Sequence, residues 1–241
     1  MGVADYAEAL ALQDAIVDAR LRDAIGDTLL LLEHPHVYTL GRGADERYLI
    51  NPPPDVPIYR VSRGGEVTYH GPGQLVGYPI LKLESAERDV HRYLRQLERA
   101  MIAALAAIGV EAARRDGLTG VWAGSAPTAG SAATAKTAKI GAIGVGLRRW
   151  VTRHGFALNV TTDLRYFDAI VPCGIEGCRV TSIAALGRPE ITVESFADVM
   201  APAFSRVFGF ARIVDAPAVT IWAMVDRAAP AAQDYSQVSH G

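Results

Sequence analysis

The sequence predicts one α+β domain, a mixed β-sheet flanked by helices. Three observations carry this reading. Segments near residues 5–25, 89–108 and 192–208 place apolar side chains at helical spacing. Seven or more short apolar or alternating runs read as strands. The two kinds of element do not follow a strict βαβ alternation. With 241 residues the chain is long enough for one large domain or two small ones. No repeat or linker divides it, so residues 1–227 are assigned to one domain and 228–241 to a disordered tail.

Asp5 is placed to cap a first helix running to about Ile25, with Tyr6, Leu10, Ile16, Val17, Leu21 and Ile25 on its apolar stripe. Thr28–Glu33 is a continuous apolar run suited to a buried strand. His36–Leu40 is its expected partner. The tract Asn51–Pro57 holds four prolines and predicts a loop. Ile58–Ser62 follows as a strand. Arg63–Gly77 contains five glycines in fifteen residues and runs into a strand at Leu75–Leu83. A long helix is predicted from Asp89 to Ile108, where Gly109 stops it. Ala123–Ala138 is built from small residues and reads as a surface loop. Lys139–Val145 and Trp150–Val160 form a predicted hairpin. Asp163 caps a helical turn, and Pro172–Val180 is a loop. Thr192 opens a helix to Phe208 with a possible kink at Pro202, and Val219–Met224 is a final strand.

Half of the residues are hydrophobic and 21% are charged, which excludes wholesale disorder. The net charge of −2 gives no global basic excess for nucleic acid or an anionic membrane. Two cysteines, Cys173 and Cys178, are too few for a disulfide framework, so a reducing, cytoplasmic location is expected. The N-terminal residues lack a signal-peptide pattern, and no run approaches a membrane span.

Among the chemical options, neither a P-loop nor a dinucleotide-binding glycine fingerprint is present. His34, His36, Cys173 and Cys178 do not have the spacing of a structural zinc site, and no metal is expected. The glycines of 63–77 and 141–146 either punctuate strands or bring backbone close to a ligand. Cys173, between Pro172 and Gly174, is a candidate nucleophile. It needs a partner that favours thiolate, and His70, His154 and Lys139 are the candidates. Only Lys82, Lys136 and Lys139 are lysines among 24 Lys and Arg residues. A retained lysine points to a task arginine cannot perform, such as losing a proton.

Three stretches, RGGEVTYHGPGQLVGYPI (63–80), KIGAIGVGLRRWVTRHGFALNV (139–160) and PCGIEGCRVTSI (172–183), resemble the lipoyl(octanoyl) transferases. The resemblance spans about residues 25–210. It implies the fold of a biotin/lipoate ligase catalytic domain and the transfer of octanoyl from acyl carrier protein to a lysine of a lipoyl domain. The expected acceptors are the E2 subunits of 2-oxoacid dehydrogenases and the glycine cleavage H protein. It implies no cofactor, nucleic acid or membrane partner. Carried over by motif, the acyl-thioester cysteine falls on Cys173 and the activating lysine on Lys139. The acyl-binding positions fall on Arg63, Gly64, Gly65, Glu66, Val67, Thr68, Tyr69 and His70, on Ala142, Ile143 and Gly144, and on Gly155, Phe156 and Ala157. Two features depart from the family pattern: the 123–138 loop is longer than usual and carries Lys136, and Gly141 replaces a frequent alanine. Cys178 has no role in the motif.

The chemistry implied is physically consistent. An ammonium about 4 Å from a thiolate stabilises it by about 4 kcal/mol at an effective dielectric near 20, a gain that desolvation reduces. Backbone N–H groups near Cys173 are expected to hold the oxyanion, and His70 to orient the acyl carbonyl or a loop. Val67, Leu75, Ile143 and Phe156 are expected to line a slot for the acyl tail. Arg148, Arg149 and Arg153 are expected to dock an acidic carrier. An ATP-dependent ligase of the same fold, a cysteine hydrolase and a non-catalytic lipoyl-domain binder are the competing readings.

Overall fold

The computed structural model describes residues 2–124, 137–175 and 177–228. The surface loop expected at 123–138, with Lys136, falls almost entirely outside the described residues, as does the tail beyond Ala228. The first helix, α1 (Tyr6–Leu21), begins where the Asp5 side chain accepts from the N–H groups of Ala7 and Glu8. It stops short of Ile25. Asp23 turns left-handed at φ 57°, and Arg20 reaches forward to ion-pair with Asp23 and Asp27.

Six strands build the main sheet. They are β1 (Thr28–Leu32), β5 (Gln74–Ile80), β6 (Ala112–Arg115), β7 (Leu118–Ala123), β8 (Ala138–Arg148) and β9 (Val151–Asn159). Their order is β1-β5-β9-β8-β7-β6, antiparallel throughout. A second sheet holds β2 (Val37–Leu40) between β3 (Ile58–Arg60) and β4 (Val67–His70). Its β2–β3 pair is parallel and its β2–β4 pair antiparallel. The run 36–40 thus joins this small sheet instead of pairing with β1.

Strand alternation divides the core. Leu75, Phe156 and Leu158 face α2 (Val90–Ala107) and α3 (Val193–Phe208), while Val76, Tyr78 and Ala157 pack toward α1. Both α2 and α3 follow directly on the residues predicted to open them, which cap them. Asp89 accepts from His91 and Arg92, and Thr192 forms a reciprocal capping box with Ser195. Pro202 lies inside α3.

One further assignment is corrected. Residues 219–224 lie in a helix, α4 (Ala218–Ala228), whose Ile221 and Val225 pack with the α1 residues. A four-residue period inside a short apolar run is not separable from a buried strand by pattern alone. The β6–β7 hairpin, turning at Asp116-Gly117, was not anticipated, because β6 has no apolar face to betray it.

Gly155 illustrates how closely β9 approaches β5. A Cβ there would lie 2.1 Å from the Gly77 carbonyl oxygen and 2.5 Å from Pro79 Cδ. Gly155→Ala is expected to cost about 1–3 kcal/mol or more by overpacking. Urea denaturation would show this as a lower midpoint with unchanged slope.

Candidate active site

Lys139 sits near the start of β8 and is 4% exposed. Its Nζ donates to Cys173 Sγ at 2.9 Å and to the Thr119 carbonyl at 3.1 Å. Trp122, its cross-strand partner on β7, places its ring 5.0 Å from Nζ. An ammonium is therefore held by a carbonyl, an aromatic face and a sulfur. Neither His70 nor His154 takes this place beside the thiol.

The backbone explains why two residues 34 positions apart meet. The Lys139 N–H donates to the Arg179 carbonyl at 2.8 Å, and the Lys139 carbonyl accepts from Thr181 N–H at 2.9 Å. The strand that carries the amine thereby grips the segment that follows the thiol. On the other side, Val171 N–H donates to the Tyr48 carbonyl at 2.8 Å. Cys173 lies between these anchors in a tight turn over Pro172–Gly174, with φ 58° and ψ 20°. A non-glycine residue in this conformation stores roughly 1–3 kcal/mol and persists only when its surroundings impose it. Cys173 is partly exposed, so a partner can reach it.

Cys173 opens onto a cavity of about 240 Å³ between the two sheets. Twelve of the predicted binding residues line it: Arg63, Gly65, Glu66, Val67, Thr68 and His70 on one side, and Ala142, Ile143, Gly144, Gly155, Phe156 and Ala157 on the other. Gly64 and Tyr69 do not. The Gly64 N–H instead donates to the Val145 carbonyl, fastening the glycine turn to β8. Tyr69 points into the small-sheet core, where its hydroxyl meets His36 Nδ1 at 2.7 Å. Leu75 is likewise a core residue rather than part of the slot. Sequence reasoning missed Tyr6, Tyr78, Thr119 and Ile175, which also line the cavity. Tyr78 and Ile175 lie within the recognised stretches, whereas Thr119 arrives from β7 and Tyr6 from α1, neither of which carries a motif.

At the inner end, neutral polar groups surround the buried Arg63 guanidinium. Burial pushes His70 and His154 down to about 3 and the Tyr6 hydroxyl up to about 12. Gln74 donates its amide to Tyr69 O and Asn159 Oδ1, so its oxygen faces His70 Nδ1 at 2.8 Å. This network assigns the proton of neutral His70 to Nδ1 and leaves Nε2 an acceptor. Such a histidine cannot donate to an acyl carbonyl, which corrects the first of the two roles expected for it. The oxyanion expectation is also narrowed: the Gly174 and Ile175 N–H groups are already bonded to Val171 and Pro172 carbonyls. Arg63 is 6% exposed and donates to Thr39, Gly64 and Glu66, which braces the glycine turn.

The expected carrier-docking cluster is largely neutralised. Arg148 pairs with Asp18 at 2.6 Å and Arg153 with Asp14 at 2.7 Å. Burial raises the Cys178 thiol above its ordinary value, and it makes no contact with Lys139 Nζ of the kind Cys173 makes. No group of three or more His, Cys, Asp or Glu side chains suited to a metal occurs among the described residues. No helix among them is long and apolar enough to cross a membrane.

Residues 5–205 match the family described as "Lipoyl protein ligase A/B catalytic domain". The chain belongs to this family. Within it, the chain is 51% identical over 183 residues to an octanoyltransferase of Gloeobacter violaceus, covering 76% of each chain. An octanoyltransferase of Solibacter usitatus is 49% identical over 220 residues, 89% of this chain and 91% of the relative. The lipoyl ligase fold is shared more widely. A bipartite lipoate protein ligase of Thermoplasma acidophilum superposes with a TM-score of 0.67 at 16% identity, covering 94% of this chain and 89% of the other. A lipoate-protein ligase A bound with ATP gives 0.65 at 16% identity, covering 93% and 90%.

The buried histidines predict an acid limb of stability. Unfolded histidines protonate near 6.5, whereas His70 and His154 stay neutral in the fold down to about 3. Their contribution is complete above pH 6.5 and is lost as pH falls toward 3. Urea midpoints measured from pH 7 to 4 should fall, and His154→Asn, which tolerates the φ of 55° at this site, should flatten the decline.

Proposed function

We infer that the protein is an octanoyltransferase of lipoate biosynthesis, with Cys173 as the nucleophile and Lys139 as its proton partner. The observation that carries the catalytic assignment is the 2.9 Å contact between Lys139 Nζ and Cys173 Sγ at the mouth of an apolar slot. An ammonium in hydrogen-bond contact with sulfur favours the thiolate, the nucleophilic form. The relatives at 49% and 51% identity are octanoyltransferases, which supports this activity over ligation.

The Cys173 thiolate attacks the carbonyl of octanoyl-acyl carrier protein. The bond from the carbonyl carbon to the carrier sulfur breaks, and the departing thiolate takes a proton from Lys139. Octanoyl-Cys173 and neutral Lys139 remain. The acceptor lysine of a lipoyl domain, having lost one proton to solvent, attacks the acyl carbon. Its second proton passes to Lys139, and Cys173 leaves as thiolate. The cycle restores the starting pair and forms an amide from a thioester. Lysine suits this role because its amine gives up a proton in a desolvated site, which arginine does not. Acceptors of the E2 and H-protein type belong to the same reading. Val67, Ile143 and Phe156 line the slot. Each buried CH₂ of the tail adds about 0.8 kcal/mol.

Mixing the protein with octanoyl-acyl carrier protein should give one octanoyl adduct by intact mass, sensitive to hydroxylamine and mapped to Cys173. Cys173→Ala should form none, and Lys139→Arg should lose at least about a hundredfold in turnover, the size typical of a general acid–base group. Full activity of Cys173→Ala, or acylation of a lipoyl domain from free octanoate and ATP, would overturn the assignment.

A further inference from the structure

Lys139 has a second partner whose own environment is unusual. Its Nζ donates to the Thr119 carbonyl, the oxygen end of the Thr119–Gly120 peptide group. The nitrogen end of the same planar group, Gly120 N–H, donates to Glu98 Oε1 at 3.0 Å. Glu98 comes from α2, two turns into the helix, and its side chain is wholly buried. Its other oxygen accepts from Arg95 Nη1 at 2.6 Å, and Arg95 is one-third exposed. A line of hydrogen bonds thus runs from a buried carboxylate, through one peptide group, to an ammonium and on to the sulfur.

We propose that Glu98 is a positioning residue for the reaction, acting on Lys139 through the Thr119–Gly120 peptide. This rests on the Cys173–Lys139 reading. A carboxylate at the N–H end polarises the peptide and makes its carbonyl a stronger acceptor for the ammonium. It also fixes which way that carbonyl points. Glu98 thereby plays the part that a carboxylate plays behind a catalytic histidine, with a peptide group between it and the base. Glu98 does not touch Lys139 in the hydrogen-bond pattern, so direct neutralisation of the pair is avoided.

Gly120 is shaped for this arrangement. It adopts φ 129°, and a Cβ there would lie 2.6 Å from the Gly141 carbonyl oxygen and 2.8 Å from Lys139 Cε. The glycine lets the lysine stem pass directly across the peptide that holds its tip. The register of β7 against β8 shifts at the same place, between Val121 and Trp122, which turns the strand edge toward the amine. Arg115 of β6 also faces this edge, its guanidinium 5.9 Å from the Trp122 ring centroid.

The readout is alkylation of Cys173 by iodoacetamide, followed by peptide mass so that Cys178 is scored separately. In Glu98→Gln the glutamine oxygen still accepts from Gly120 but carries no charge. The Cys173 rate at pH 7 should fall about tenfold, the order expected when a charge-assisted hydrogen bond becomes a neutral one, and its pH profile should move upward. In a Lys139→Met background the same substitution should change nothing further. A rate unchanged by Glu98→Gln, or lowered equally in both backgrounds, would mean that Glu98 only braces α2 against β7. A rate unaffected by Lys139→Met would instead remove the dyad itself. Should Glu98→Gln not fold, the unaltered protein still decides: the Gly120 amide resonance should titrate with the alkylation profile of Cys173, and a flat resonance would overturn the proposal.

Discussion

The contact between one amine and one sulfur organises this molecule. Lys139 and Cys173 approach to 2.9 Å, although 34 positions separate them along the chain. Two features enforce the meeting. Backbone hydrogen bonds clamp residues 179–181 to Lys139, and Tyr48 holds Val171 on the opposite side. The left-handed turn at Cys173 then aims the sulfur inward while leaving it accessible. That conformation costs stability, and the clamps on both sides are what hold it.

In the glycine-rich segments, glycines lie where backbone meets backbone at close range. The 63–65 turn lies against β8, with the Gly64 amide on the Val145 carbonyl, and Gly155 lies against the Gly77 carbonyl. A side chain at Gly155 would collide with the Gly77 carbonyl and push β9 from β5. The cavity that remains is apolar along Val67, Ile143 and Phe156 and ends among neutral tyrosines and histidines. Backbone carbonyls and the Thr39 hydroxyl around the buried Arg63 guanidinium offset the cost of burying its charge.

Much of this was legible in residue order. The caps Asp5, Asp89 and Thr192 announce their helices because capping is a local interaction. The β8–β9 hairpin follows from alternation, and the site residues follow from three motifs. What remained hidden depends on contacts that side-chain type does not encode. Nothing in Thr119 advertises that its carbonyl faces an ammonium. Glu98 looks like any acidic residue on an amphipathic helix until its burial is seen. Arg148 and Arg153 resemble a free basic patch because their partners lie on α1, over a hundred residues earlier in the chain. The Val219–Met224 run, five apolar residues around Thr220, fits the strand and helix periods equally well, so pattern alone does not assign it to a helix.

The central proposal is that Lys139 activates Cys173 as the nucleophile. The most direct measurement is the ultraviolet thiolate absorbance of Cys173 at neutral pH, taken as the difference between the enzyme and Cys173→Ala. The account predicts a clear thiolate signal that disappears in Lys139→Met. An equal signal with and without the amine, or none in either, would contradict it.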